Sequence, residues 1–223
     1  MKKILIASFF GVVTFAACKK KEDTVSRLIS VSYPTVHITS QKYFSFPVGG
    51  GPMPNANTII ATAYDSFYHE SIKPVIDASK LSSIVPGLYI ATVSAKNSYG
   101  FIGYDYVYVA ITNMNDTTDI SGPYVNPVYN DTVHVTKLAA GLYRTDNVAG
   151  LPNAAFNSKL IVPGYFVQDA DGITMYMPTQ PSTAGSFAGS QTAIAMVPAD
   201  TTFQYVITGN SNFNGGLLTF KKQ

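Results

Sequence analysis

The residues that could do chemistry are few, and their spacing fits most reactions poorly. Only His37, His69 and His134 are present, and no two stand at the i, i+4 separation that puts two imidazoles on one metal. Gly-x-Ser-x-Gly and Ser-x-x-Lys, the marks of a serine nucleophile, are missing. The nearest string, Gly185-Ser186-Phe187-Ala188-Gly189, has its serine in the wrong place. Asp65, Glu70 and Asp77 are the carboxylates that could be paired for glycoside hydrolysis. Loop carboxylates on a β domain are far more often solvated, so they are not read as catalytic. Asp169-Ala170-Asp171-Gly172 has the opening of a calcium loop without the later bidentate Glu, which argues against metal. No Gly-x-x-x-x-Gly-Lys cradle for phosphate occurs. The chain reads as a non-enzyme with no metal and no cofactor.

Aromatic rings offer a different chemistry. Tyr104, Tyr106 and Tyr108 alternate with Asp105, Val107 and Val109, so one strand face is a tyrosine row and the other is apolar. With the valines in a core, the phenol rings face outward, where a sugar ring can stack on them and hydrogen-bond at their rims. Tyr99 and Phe101 lie on the turn just before this row, and Tyr64 and Phe67-Tyr68 are candidates to join them. Tyr99, Tyr104, Tyr106 and Tyr108 are therefore the candidate ligand-binding residues. The competing reading is a cross-strand ladder, or a face covered by a second domain.

These rings must be held by strands. From Leu28 onward the chain consists of short β-prone runs broken by Gly, Pro, Asn and Asp, with no sustained 3.6-residue apolar period. Expected strands are 28–33, 35–38, 43–46, 58–64, 87–96 and 103–112, with one short helical turn at Ala78–Ile84. Within Gly87–Lys96, the face of Tyr89, Ala91, Val93 and Ala95 is expected to point inward. Asn113–Asp119 is polar and reads as a linker. Beyond it, strands are expected at 132–138, 141–145, 159–162, 165–168, 173–177, 193–197, 203–208 and 217–221. The reading is all-β: an immunoglobulin-type β-sandwich over 28–114, a linker at 115–120, and a second antiparallel β domain, sandwich or small barrel, over 121–223.

Composition supports that class. Of 223 residues, 46% are hydrophobic and only 13% charged, which excludes disorder along most of the chain. A formal charge of +2 without a basic patch excludes a nucleic-acid binder that works by phosphate neutralisation. The one cysteine excludes a disulfide framework.

That cysteine is Cys18. It follows Lys2-Lys3 and an uncharged apolar stretch, Ile4–Ala17, too short to span a bilayer as a helix. Phe15-Ala16-Ala17-Cys18 resembles a bacterial lipobox, with Phe in place of the more usual Leu. The resemblance implies a signal peptide over 1–17, acylation of Cys18 and a charged tether over 18–27. Several acyl chains anchor a protein stably where one does so only marginally. Lys21-Glu22-Asp23 resembles the export signal of Bacteroidetes lipoproteins that reach the outer face of the outer membrane. Asp23-Thr24-Val25, Asp116-Thr117-Thr118, Asp131-Thr132-Val133 and Asp200-Thr201-Thr202 match the pattern that Bacteroidetes O-glycosylate, making Thr117, Thr132 and Thr201 candidate sites.

Pro86-Gly87-Leu88-Tyr89-Ile90-Ala91-Thr92-Val93 and the turn at Lys96–Gly100 resemble the penultimate strand and turn of bacterial surface Ig-like domains. Gly141-Leu142-Tyr143-Arg144 resembles the entry strand of a following β domain. Together with the lipobox, the chain resembles an uncharacterised family of Bacteroidetes surface lipoproteins, often encoded beside SusC/SusD-type glycan importers. The resemblance implies a lipid-anchored accessory protein whose partners are an oligosaccharide or the importer. It supplies no functional residues, and this chain lacks the Trp platforms of many glycan binders. The alternative is a structural or adhesive module with the Ig-like domain as spacer. The anchor is the directly testable part. Cys18→Ser is expected to abolish palmitate incorporation and release the protein from membranes, whereas unchanged membrane retention would remove the extracellular reading.

Overall fold

The structure, a computed structural model, describes residues 31–152, 160–189, 195–197, 202–213 and 215–223, with the side chains of 195–197 left aside. Cys18, the signal segment, the tether and Thr201 lie outside them. The described chain is all-β, and its sheets divide between a sandwich and a barrel.

The sandwich uses seven strands. One sheet is β1 (Thr35–Ile38), β3 (Ala61–Asp65) and β4 (Glu70–Ile72), ordered β1-β3-β4. The other is β2 (Tyr43–Phe46), β5 (Val75–Asp77), β6 (Gly87–Lys96) and β7 (Ile102–Ile111), ordered β2-β7-β6-β5, with β2 parallel to β7. Alternation sets the core: Ala91, Val93 and Ala95 of β6 and Val107, Val109 and Ile111 of β7 are buried, with Tyr89 packed at the edge. The expected inward face of β6 is the one observed. The Tyr89 hydroxyl donates to Val85 O at 2.9 Å, four residues upstream, and ties the entry of β6 to the turn before it. Asp105 interrupts the apolar face of β7 but is satisfied, receiving Ile38 N at 3.2 Å and Lys42 Nζ at 2.7 Å. Gly103 lets β1 approach, since a Cβ there would lie 1.8 Å from Pro34 O.

The barrel begins with β8 (Gly122–Asn126), β9 (Asp131–Ala139), β10 (Leu142–Thr145), β11 (Gly164–Gln168) and β12 (Met175–Tyr176), each antiparallel to the one before it. Then come β13 (Ala188–Gly189), β14 (Ala195–Val197), β15 (Thr202–Thr208) and β16 (Leu217–Lys222). β13 and β14 both pair with β15, β15 with β16, and β16 returns to β8. The remaining seam is joined beyond β12, where Gln180 bridges Phe187 and Gly189 N donates to Met177 O at 2.8 Å. The sheet thus nearly closes as a small barrel, the second of the two expected forms. Its interior is filled by Tyr124, Tyr143, Phe166, Phe203, Tyr205 and Phe220, as a barrel of this size permits. The Tyr205 hydroxyl donates to Val148 O within this core.

Several expectations need correction. Ala78–Ile84 is a turn in which Leu81 N donates to Ala78 O, because Asp77 accepts from Ser79 and caps a turn instead of a helix. Residues 31–33 and 161–162 are not strand; the Val162 carbonyl instead accepts from Val148 N. β4, β5, β8 and β13 were not expected.

The two parts share an interface. Leu88, Tyr108 and Ala110, on the outer face of the sandwich, bury against Leu142 and Val167 of the barrel. Tyr165 stacks on Tyr108 with centroids 3.9 Å apart and planes at 19°, and Tyr43 lies beside both. Ser45 Oγ donates to Ala140 O at 2.7 Å, and Thr112 Oγ1 to Gln168 O at 3.0 Å. Burial pushes the Tyr43 hydroxyl up to about 12 and Tyr108 higher still, so both rings are neutral at any physiological pH. Tyr165→Ala is expected to lower stability by roughly 2 kcal/mol. It should also split a single denaturant transition into two, followed by near-ultraviolet circular dichroism.

Candidate aromatic site

The four candidate tyrosines separate. Tyr108 is 6% exposed and belongs to the interface, so it is removed from the ligand-binding set: the barrel covers the end of the row where Ala110 and Leu88 give it a flat apolar seat. Tyr106 is half-buried and lines a cleft between sandwich and barrel. Tyr104 is 52% exposed and Tyr99 59% exposed. The row is therefore not one platform.

A different set of rings gathers at the hairpin tips. The β3–β4 and β6–β7 turns bring Tyr68 onto Tyr99, stacked with centroids 4.1 Å apart and planes at 20°. Phe67 meets Tyr68 edge-on at 4.9 Å and is 56% exposed. Tyr33 and Phe101 form a second edge-on pair at 5.6 Å. Tyr64 is exposed, with its hydroxyl 3.3 Å from His69 Nδ1.

A buried polar junction mounts these rings. Asp65, fully buried, accepts Ser32 Oγ at 2.8 Å, Phe67 N at 3.0 Å, Tyr68 N at 3.2 Å and Asn97 Nδ2 at 2.7 Å. Asn97 in turn accepts Tyr99 N at 3.1 Å and Phe101 N at 2.9 Å on its Oδ1, while its Nδ2 also donates to Ser32 O at 3.0 Å. One side chain from each turn thus fixes the amides of the ring-bearing residues of that turn, and the two side chains bond each other. Glu70 adds a second tie, accepting Ser98 N and Ser98 Oγ, each at 3.2 Å.

Burial alone would raise the Asp65 carboxyl, but hydrogen bonds from Asn97, Ser32 and the amides of Tyr68 and Phe67 outweigh it and hold the pKa below the ordinary value. Burial, then Tyr99 and the Asp65 charge, push the Tyr68 hydroxyl upward. Asp65 and Glu70 are engaged in these bonds and Asp77 in those from Ser79, so the three do not present a free carboxylate pair. Such a fixed, ring-lined surface can stack a flat apolar ligand face. Among the described residues no group of three His, Cys, Asp or Glu side chains is placed to hold a metal ion. His134 lies apart, 3.2 Å from Asp146 Oδ2. Among the glycosylation candidates Thr117 is exposed and Thr132 half-buried. Sequence reasoning named Tyr99 and its neighbours but missed the Asp65–Asn97 junction, because the two stand 32 positions apart.

The junction has a pH signature. A depressed folded pKa means that the unfolded state binds the proton more readily, so the stability Asp65 contributes is present above about pH 4, the unfolded carboxyl value, and is lost as pH falls through the folded one. Asp65→Asn is expected to be less stable near neutrality. It should also show a flatter fall in urea midpoint below pH 4 than the parent; equal acid slopes would contradict the assignment.

No protein-family model matches the chain, and no curated protein matches it. Among solved structures it is similar to the crystal structure of the lipoprotein BT2262 from Bacteroides thetaiotaomicron. Identity is 15% and the TM-score 0.38, over 85% of this chain and 100% of that one. A likeness at that level bears on neither mechanism nor ligand.

Proposed function

We propose that this protein is a lipid-anchored, non-enzymatic accessory protein of glycan uptake, held by acyl chains on Cys18 at the outer surface of the outer membrane. The anchor and address are read from the lipobox-like Phe15-Ala16-Ala17-Cys18 and the Lys21-Glu22-Asp23 run. The immunoglobulin-like sandwich would present its hairpin tips to a glycan, either alone or beside a SusC/SusD-type importer. The observation that carries the ligand class is the stack of half-buried Tyr68 on exposed Tyr99, with exposed Phe67 beside it, mounted on the Asp65–Asn97 junction. Tyrosine rings fixed in this way lose little freedom when a sugar stacks on them. The competing role, a spacer or adhesive module, sits less well with a sandwich whose outer face is partly buried against the barrel.

Tyr99→Ala and Tyr68→Ala are expected to weaken retention on a glycan array about tenfold, a loss of roughly 1.4 kcal/mol. Unchanged retention of every ligand bound by the parent would remove the stacking role.

A further inference from the structure

Sandwich and barrel together make a cleft that neither makes alone. Two adjoining hollows, of about 340 and 470 Å³, share Leu88, Tyr89, Pro178 and Thr179 as walls. Each falls within the range of small-molecule sites. One wall is β6 with Tyr106 of β7, and the other is the segment that follows β12, where Gln180 bridges Phe187.

The lining is specific in character. Tyr89 and Tyr106 come from the sandwich and Tyr176 from the barrel, all three half-buried. Two of these rings are pinned by their hydroxyls, Tyr89 to Val85 O at 2.9 Å and Tyr176 to Asp169 Oδ2 at 3.0 Å. Pro178 and Pro181 stiffen the barrel wall. Asp77 and Lys80 supply one charge of each sign. Hydrogen bonds from the Ser79 hydroxyl and amide hold the Asp77 carboxyl below its ordinary value, so it stays an acceptor at neutral pH. Pinned rings beside a balanced pair of hydrogen-bonding charges suit a ligand with flat apolar faces, many hydroxyls and no net charge.

An extended peptide is the competing occupant. β5 pairs with β6 only at Thr92–Ser94, and no second strand pairs with Gly87–Ala91 among the described residues. The first hollow, however, is walled by Leu88, Ile90, Thr92 and Tyr106, which share the outward face of the sheet. It lies over that face, where Thr92 and the Tyr106 ring stand, rather than along the edge where backbone groups would receive a strand.

We propose that this cleft is a binding subsite for a neutral oligosaccharide, gripped jointly by the sandwich and the barrel. It rests on the glycan reading above for its ligand class, and on different residues for its position. One glycan chain could occupy either surface independently, and attachment at both would raise its hold by effective concentration.

The test uses the full chain in detergent, titrated calorimetrically with neutral hexasaccharides of α-1,4-glucose, β-1,4-glucose, β-1,4-mannose and β-1,4-xylose. Tyr106→Ala and Tyr176→Ala should each weaken binding at least tenfold. Thr179→Trp, at an exposed position that leaves packing intact, should block the cleft to the same extent. Bound sugar should slow amide exchange over 87–92 and 176–181. Binding lost in these variants but kept in Tyr99→Ala supports the cleft and removes the hairpin-tip platform. Binding kept in all three cleft variants, and lost in Tyr99→Ala, overturns the cleft while leaving the platform. No hexasaccharide bound by the parent overturns both. An unstructured peptide library retained through protection of 87–91 overturns the cleft in favour of strand addition.

Discussion

Strand β7 is packed from both sides over its second half, and that constraint decides which surfaces remain wet. Val107, Val109 and Ile111 face the sandwich core, while Tyr108 and Ala110 face the barrel. The register with β6 sets Leu88 opposite Ala110, Ile90 opposite Tyr108, Thr92 opposite Tyr106 and Ser94 opposite Tyr104. Read along the strands, the outer face runs from apolar to polar. The barrel sits on the apolar end, where burying Leu88 and the Tyr108 ring gains free energy and hides no unpaired polar group. Tyr106 falls at the boundary of the covered region and Tyr104 beyond it. Four residue pairs thus yield a buried seat, a cleft and an open surface.

That gradient is present in the sequence, and it explains which readings survive. Alternation along β6 and β7 specifies both strands and their inward faces, Ala91, Val93 and Ala95 on one and Val107, Val109 and Ile111 on the other. The same alternation makes the tyrosines look equivalent. Ala110 and Leu88 are the local sign that they are not: a small and an aliphatic side chain opposite each other make a poor solvent face and a good docking face. β4, β5 and β13 have two or three residues each, too short for any period to register. β8 opens with Gly122-Pro123, which reads as a turn; it is a strand because β9 and β16 flank it. Near-closure of the barrel rests on the pairing of β16 with β8 and on the contacts beyond β12, which no local pattern encodes.

The hairpin tips were legible in part for a related reason. Turn chemistry marks Lys96–Gly100, and the rings of Tyr99 and Phe101 are visible beside it. What mounts them is not visible there, because Asp65 and Asn97 look like ordinary turn residues until the fold brings them together. Each satisfies its own turn by accepting amides two to four residues ahead, a local habit of Asp and Asn. The bond between them converts two local caps into one rigid unit. A buried carboxylate with four donors is stable where an unpaired one would not be.

Fifteen tyrosines and no tryptophan raise the question of what the hydroxyl contributes, since phenylalanine would fill the same volume. Inside the barrel it ends on a backbone carbonyl: Tyr124 on Ile120, Tyr143 on Thr118 and Tyr205 on Val148. Burial drives the Tyr124 and Tyr143 hydroxyls up to about 12, so they remain neutral donors across the physiological range. In the cleft the hydroxyls of Tyr89 and Tyr176 are spent in the same way, on Val85 and Asp169. Their rings are therefore fixed in orientation, half-buried against the neighbouring core, with the polar tip already satisfied. A ring held like this offers stacking without the entropic cost of ordering it. On the proposed glycan reading, recognition would depend on how the rings are mounted more than on how many are exposed. In the proposed cleft Tyr89 and Tyr176 are mounted in this way, their hydroxyls tied to Val85 and Asp169.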